Sequence, residues 1–208
     1  GLGDVYKRQT LRLLCLPVLA AVCTDAPAQD GSSAYNWLNV TSSSRIYGLG
    51  GINISLVDDD VMSTDMNPAL LGPEMSGQIA LNYMRYIGGS NFAGVRYAHS
   101  AGERGAWSAH IQYFGYGSIT ETLPDGSTVG TFSPKDVSFG GSFSHDITDR
   151  LRGGISLKML YSGYADYTAF AISTDLGLNY FDPDHDNSLS LVLANLGGQV
   201  KRFDQSYD

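Results

Sequence analysis

From Gln78 onward the chain alternates apolar and polar residues with a period of two, the spacing of β-strands with one apolar face. Trp107, Ala109, Ile111 and Tyr113 share one face, while Ser108, His110 and Gln112 share the other. Val137, Phe139 and Phe143 oppose Ser138, Gly140 and Ser142. Leu151, Ile155, Leu157, Met159 and Tyr161 oppose Arg152, Gly154, Ser156 and Lys158. Phe170, Ile172, Leu176, Leu178 and Tyr180 oppose Ala171, Ser173, Asp175 and Asn179. Ile79, Leu81 and Tyr83 open the series, Val95 and Tyr97 mark the second strand, and Leu189, Leu191 and Leu193 begin the last. The pattern predicts about seven strands, many of about ten residues, the length a tilted strand needs to cross a bilayer.

The polar face carries Ser, Gly, His, Gln, Arg and Lys, which suits the lumen of a barrel better than a protein core. The expected fold is therefore all-β: a transmembrane antiparallel β-barrel with His110, Arg152, Lys158 and Asp175 facing the lumen. Arg152, Lys158 and Asp175 on neighbouring strands predict a salt-bridged interior filling. A soluble β-sandwich would alternate similarly, so connections and aromatics have to decide. Short polar turns are predicted at Ala101–Gly105, Asp146–Arg150 and Asp182–Asn187, and longer loops at Gly115–Pro134 and Ser162–Tyr167, with Gly88–Asn91 a short exception. If the first strand runs outward from the periplasm, every short turn falls on the periplasmic side, as outer-membrane barrels require. Trp107, Tyr113, Phe114, Tyr116, Tyr161, Tyr164, Tyr180 and Phe181 lie near strand ends and predict interfacial girdles. Seven strands cannot close such a barrel, so residues 77–208 are expected to be its first half.

The leading residues read differently. Lys7, Arg8 and Arg12 precede an apolar stretch from Leu11 to Val22, interrupted by Pro17, and Ala26-Pro27-Ala28 offers a small-x-small cleavage site. Residues 1–28 are thus predicted to be a secretory signal with extraneous N-terminal residues. Both cysteines, Cys15 and Cys23, fall inside it, so the exported chain would have neither a disulfide framework nor a thiol nucleophile. Residues 29–76 do not alternate and are predicted to form an entry segment ahead of the barrel.

Charge and motifs narrow the chemistry. A formal net charge of -8 argues against nucleic acid, whose phosphates need clustered Lys and Arg. Gly48-Leu49-Gly50-Gly51 lacks the third glycine and the strand–helix context of a dinucleotide loop. Asp58-Asp59-Asp60 has no known calcium-loop spacing, and adjacent carboxylates point in different directions; a solvated turn is expected, with no metal. Asp182, Asp184 and Asp186 alternate with Pro183, His185 and Asn187, which reads as a hairpin turn. His99, His110, His145 and His185 lie on different strands or turns, and no nucleophile elbow accompanies them. No catalytic residue, no cofactor and no enzymatic activity are predicted. Asn67-Pro68-Ala69 is more informative: Pro fixes its own φ and pushes Asn67 out of the helical region, making a rigid kink before the first strand.

The ordered set Ala34-Tyr35-Asn36-Trp37-Leu38-Asn39-Val40, Ser43-Ser44-Arg45, Gly48-Leu49-Gly50-Gly51, Ser55-Leu56-Val57-Asp58-Asp59-Asp60 and Asn67-Pro68-Ala69-Leu70-Leu71 resembles the start of the PorQ-like outer-membrane proteins of the type IX secretion system. The similarity continues through Ile111-Gln112-Tyr113, Gly130-Thr131-Phe132-Ser133 and Leu193-Ala194-Asn195-Leu196-Gly197. Trp37 stands where that family has Phe. Asn-Pro-Ala alone also occurs in PorV-like and long-chain fatty-acid transporter barrels. The resemblance implies a barrel of about fourteen strands with an N-terminal plug carrying Gly48, Gly50, Gly51, Asp58, Asp59, Asp60, Asn67, Pro68 and Ala69. It implies a Gram-negative outer-membrane location, with a periplasmic N-terminus and extracellular loops, among lipid and lipopolysaccharide. It further implies an anchoring role in which a PorZ-like surface protein is held beside PorU- and PorV-like members of a cargo-attachment complex. The alternative is passive transport of hydrophobic small molecules through a plugged barrel.

Overall fold

The computed structural model describes residues 36–201, apart from 125, 165 and 166. The signal reading, the first two residues of the Ala34-Tyr35-Asn36 motif and Asp125 lie outside the described residues.

The alternating part of the chain forms β1 (Ile79–Arg85), β2 (Asn91–Ser100), β3 (Gly105–Gly115), β4 (Ile119–Thr122), β5 (Thr128–Phe132), β6 (Lys135–Thr148), β7 (Leu151–Tyr164), β8 (Tyr167–Asp182) and β9 (Asn187–Lys201). Seven of them make one antiparallel sheet in the order β1-β2-β3-β6-β7-β8-β9, with β1 and β9 at its edges. Every neighbour in that sheet follows its partner in the chain except across β4 and β5, which pair only with each other as a hairpin. The predicted Gly115–Pro134 loop is therefore mostly this hairpin.

The other predicted long loop is corrected. Tyr164 of β7 pairs directly with Tyr167 of β8, so Ser162 to Tyr164 end one strand and Tyr167 starts the next. Gly163, predicted to lie in the loop, pairs with Lys135 on one side and Thr168 on the other. The difference in length between the two ends of the sheet thus rests on the β4–β5 hairpin alone.

The sheet inverts the polarity of a soluble protein. Its outer face exposes large apolar side chains, among them Leu81 (79% exposed), Ile111, Phe139, Phe143, Ile155, Leu157, Leu176, Leu178, Leu189 and Leu191. Its inner face buries polar ones: Arg96, Ser108, His110, Gln112, Ser138, Ser142, Ser156, Lys158, Ser173, Asp175 and Asn179. Because the register is continuous, inner residues line up in rows across the strands. Ala106, Ser144, Gly154 and Gly177 form one row, Ser108, Ser142, Ser156 and Asp175 the next, and His110, Gly140, Lys158 and Ser173 a third.

Residues 37–76, the inner segment, cover this polar face. They hold one short helix, α1 (Ser44–Gly48), and 3-10 turns at Asn36–Asn39, Val61–Asp65, Pro68–Leu70 and Pro73–Met75. Irregular backbone can be buried only if its polar groups find partners, and side chains provide them here. Asn53 donates from Nδ2 to the Leu56 and Ser63 carbonyls and accepts from the Leu56 amide at 2.8 Å. Ser63 and Thr64 donate to the carbonyls of Asp60 and Val61 at 2.7 and 2.8 Å. A small apolar core of Val61, Leu71 and Met75 against Ala98 and Ala106, flanked by Ala80, ties the segment to β1, β2 and β3.

Candidate functional site

The point where the inner segment meets the sheet is the most specifically built part of the molecule. Asn67 is extended (φ -141°, ψ 105°) and caps the 3-10 turn Pro68–Leu70, its Oδ1 accepting from the Ala69 amide at 2.9 Å. Its Nδ2 donates to the Ile54 carbonyl at 2.7 Å. Asn67 is fully buried, and its one amide satisfies two backbone groups, the buried Ala69 amide among them. The turn lies on β6, β7 and β8. Beneath it, Gly154 of β7 and Gly177 of β8 are register partners. A Cβ at Gly154 would stand within 2.5 Å of the Ala69 amide nitrogen and collide with the Pro68 carbonyl. A Cβ at Gly177 would collide with the Asn67 carboxamide oxygen and come within 3.2 Å of the same Ala69 nitrogen. Ser144, next in the row, donates to the Leu71 carbonyl at 2.6 Å.

A buried ion pair makes a second point of attachment. Asp65, at the end of its 3-10 turn, pairs with Arg96 of β2, and both side chains are more than nine-tenths buried. Asp65 also accepts from the Ser42 amide at 2.8 Å, from the Ser42 hydroxyl, and from Gln112 Nε2 at 3.4 Å. Arg96 further donates to the Ser108 hydroxyl at 3.3 Å. Burial would raise the Asp65 carboxyl, but the Arg96 guanidinium and the two Ser42 bonds outweigh it and hold it below the ordinary carboxylate range. Ser42 is bound in turn by the Asn82 side chain of β1, through its carbonyl.

The four residues predicted to face the lumen all lie on the inner face. Lys158 and Asp175 form the expected pair, with Nζ and Oδ2 2.6 Å apart. Asp175 also accepts from the Ser156 hydroxyl at 2.7 Å and from the Asn195 amide at 2.8 Å. Asn195 adopts a positive φ of 56° at a bulge, where the β8–β9 register skips between Thr174 and Leu176; Asp175 fills the gap that the bulge leaves in the ladder. Arg152 does not join that group. It binds Asp146 at 2.5 Å and, at 3.1 Å, Glu74 of the inner segment. His110 pairs in register with Arg96 and lies in the row that leads to Lys158. It is buried (4% exposed), and neither ring nitrogen has a hydrogen-bond partner among the described residues.

At the opposite end of the inner face, aromatic side chains replace the ions. Trp37 lies 6.4 Å from the Phe114 ring, and Phe114 packs at 4.8 Å on Tyr116. Tyr116 donates to Asp136 at 2.6 Å; burial and that bond both push its phenol up. This corrects part of the predicted girdle. Phe114 and Tyr116 belong to the inner cluster, with Tyr164 against Tyr116 at 5.8 Å, because their parity along the strand is that of the polar face. Trp107, Tyr113, Tyr161 and Tyr180 are on the outer face.

The remaining motif residues do not form one site. Gly48 ends α1, and Gly50 and Gly51, at φ 113° and 83°, turn the chain out of it, Gly51 donating to the Ile46 carbonyl at 2.9 Å. The backbone demands glycine there; a Cβ would meet nothing within 4 Å. The three aspartates separate: Asp58 pairs with Arg45, Asp59 is exposed, and Asp60 caps the Val61–Asp65 turn through the Met62 amide at 2.9 Å. Asp60 is thus a cap and not merely a solvated turn residue. Asp182 and Asp184, at the β8–β9 turn, both bind Arg150 of the β6–β7 turn, at 3.2 and 2.6 Å. The alternation pattern does not single out Asp65, Arg96, Gly154 or Gly177. Their only signal in sequence is an arginine and two glycines at inward parity. Asp65 has none.

Compared with known proteins, the chain matches no family model and no curated protein.

Proposed function

We propose that this chain builds one wall of an outer-membrane β-barrel whose lumen holds the inner segment as a plug, and that the protein is a non-enzymatic scaffold. One observation carries the membrane reading: the sheet exposes its large apolar residues and buries Arg96, His110, Lys158 and Asp175 on the other face. In water such an outer face would be an aggregation surface. In lipid it is the solvated side, and the polar side must be covered by protein. Both sheet edges need partner strands in lipid; a barrel of about fourteen strands supplies them.

The specific role rests on the resemblance to PorQ-like proteins, whose ordered motifs include the capping Asn67-Pro68-Ala69 and the Leu193–Gly197 stretch at the β9 bulge. The scaffold would hold a PorZ-like surface protein beside a PorU/PorV-like attachment complex, using the β4–β5 hairpin as its extracellular contact. The test is deletion of the complete gene in its host, following surface attachment of secreted cargo and fractionation of the surface partner. Loss of both supports the anchor. If both are unchanged while uptake of a hydrophobic compound falls, the protein is a transporter and the secretion role is wrong.

A further inference from the structure

The ion pairs and side-chain hydrogen bonds that hold the inner segment reach β1, β2, β3, β6 and β7 of the seven-stranded sheet, and their kind matters. At Gly154 the Pro68–Ala69 backbone rests directly on strand backbone, and at Gly177 the Asn67 carboxamide does, held in place by its bonds to Ala69 and Ile54. Ala106 and Ser144 complete a row of small residues across β3, β6, β7 and β8, forming a trough one side chain deep. The trough fits a 3-10 turn begun by proline, whose φ is fixed before it docks. The Asp65–Arg96 pair and the Ser144 bond to Leu71 then fasten the segment on two further strands, β2 and β6, and the Arg152–Glu74 pair fastens it again on β7.

We infer that residues 67–71 are a fixed seal and not a displaceable gate, and that the backbone seat made by Gly154 and Gly177 positions it. The inference rests on the membrane reading above and adds to it that the polar face stays closed in the resting protein. Leaving the seat would strip partners from the Asp65 and Arg96 charges, the Glu74 and Arg152 charges and the Leu71 carbonyl together, so partial opening has no low-cost intermediate.

The test uses the complete protein in outer membranes, with S144C as a reporter beneath Leu71 and a membrane-impermeant maleimide as the probe. The thiol gives up the Ser144 hydroxyl bond to Leu71, so the glycine seat and the ion pairs alone should keep it unlabelled. With G177A or G154A added, labelling should speed up by about tenfold or more, as local opening replaces a closed state. G198A is the control, since a Cβ at Gly198 meets nothing within 4 Å; it should leave labelling unchanged. Heat-modifiable migration on gels reports folding in each case. If a glycine variant fails to fold, D65N takes its place, removing one fastening while keeping side-chain volume. Rapid labelling of S144C alone in folded, membrane-inserted protein would overturn the seal and leave the barrel standing. So would folded glycine variants that stay as protected as the control. Recovery of the protein outside the membrane fraction would instead overturn the membrane reading.

Discussion

The inner segment and the β4–β5 hairpin reverse the usual link between regular structure and order. The hairpin is regular: Ile119 pairs with Phe132 and Thr120 with Thr131 in register. Yet nearly all its residues are exposed, and it pairs with no other strand. The inner segment has one five-residue helix and a few 3-10 turns, yet Asn67, Pro68, Ala69, Leu70 and Leu71 are all buried. Ladder hydrogen bonds alone leave a two-stranded hairpin marginal in water. Burial with its backbone turns capped by side chains such as Asn53, Asp60 and Asn67 fixes an irregular chain more firmly. The molecule thus keeps its well-held irregular part inside and its loosely held regular part outside.

The sharpest way to break this contrast is to strand a buried charge. Arg96→Met leaves the Asp65 carboxylate without its cation in a site more than nine-tenths buried. The expected cost is about 3–5 kcal/mol, read as a lower urea midpoint for the refolded protein in detergent, followed by Trp37 fluorescence. An unchanged midpoint would mean that the segment is not held by this pair.

Acid should loosen the same contact to a smaller extent, because a protonated Asp65 can keep its Ser42 bonds. Its carboxyl is held below the ordinary value of 3.8. A group with a lowered folded-state pKa contributes fully above its unfolded value, and the contribution is lost as pH falls through the folded one. Docking should therefore be constant from neutrality down to about pH 4 and weaken only below it. Tryptophan fluorescence of the protein in detergent, followed as the pH is lowered from neutrality, would check this; an onset well above about pH 4 would mean that a group other than Asp65 governs docking.

Asn67→Ala comes next. It removes a cap on Ala69 and a donor to Ile54, so a loss of about 1–2 kcal/mol is expected, again as a shifted urea midpoint. Asn67→Leu keeps most of the volume and also removes both bonds; a loss equal to that of alanine would locate the effect in the bonds and not in the cavity.

The strands were legible because a half-buried sheet imposes a period of two, which survives even where polarity is inverted: Ile111 and Phe139 are paired outer residues, and His110 and Gly140 paired inner ones. The Lys158–Asp175 pair was legible for the same reason, as two inward charges on adjacent strands. Partner choice was not. Arg152 turns to Asp146 and Glu74 because the latter arrives from a segment without any period. Gly154 could be seen at an inward position, but its reason is the Pro68 backbone, eighty-six residues away in sequence. Contacts of irregular chain depend on where it lands in space, and no local spacing encodes that. Phe114 and Tyr116 show the opposite limit: aromatic identity suggested a girdle, while strand parity placed them inside.

The smallest stability effect is expected at the hairpin, and there a null result is the informative one. Replacing residues 119–132 with a short Gly/Ser connection removes exposed side chains such as Ile119, Leu123 and Val129. It breaks no pairing of the seven-stranded sheet. Surface changes away from buried features stay within about 0.5 kcal/mol, so the urea midpoint and S144C protection should match the unchanged chain. Under the anchor reading, capture of the surface partner should nevertheless be lost. A shortened protein that is stable, sealed and still binds its partner would move the contact elsewhere. One that loses stability would show that the hairpin is held by more than its own ladder.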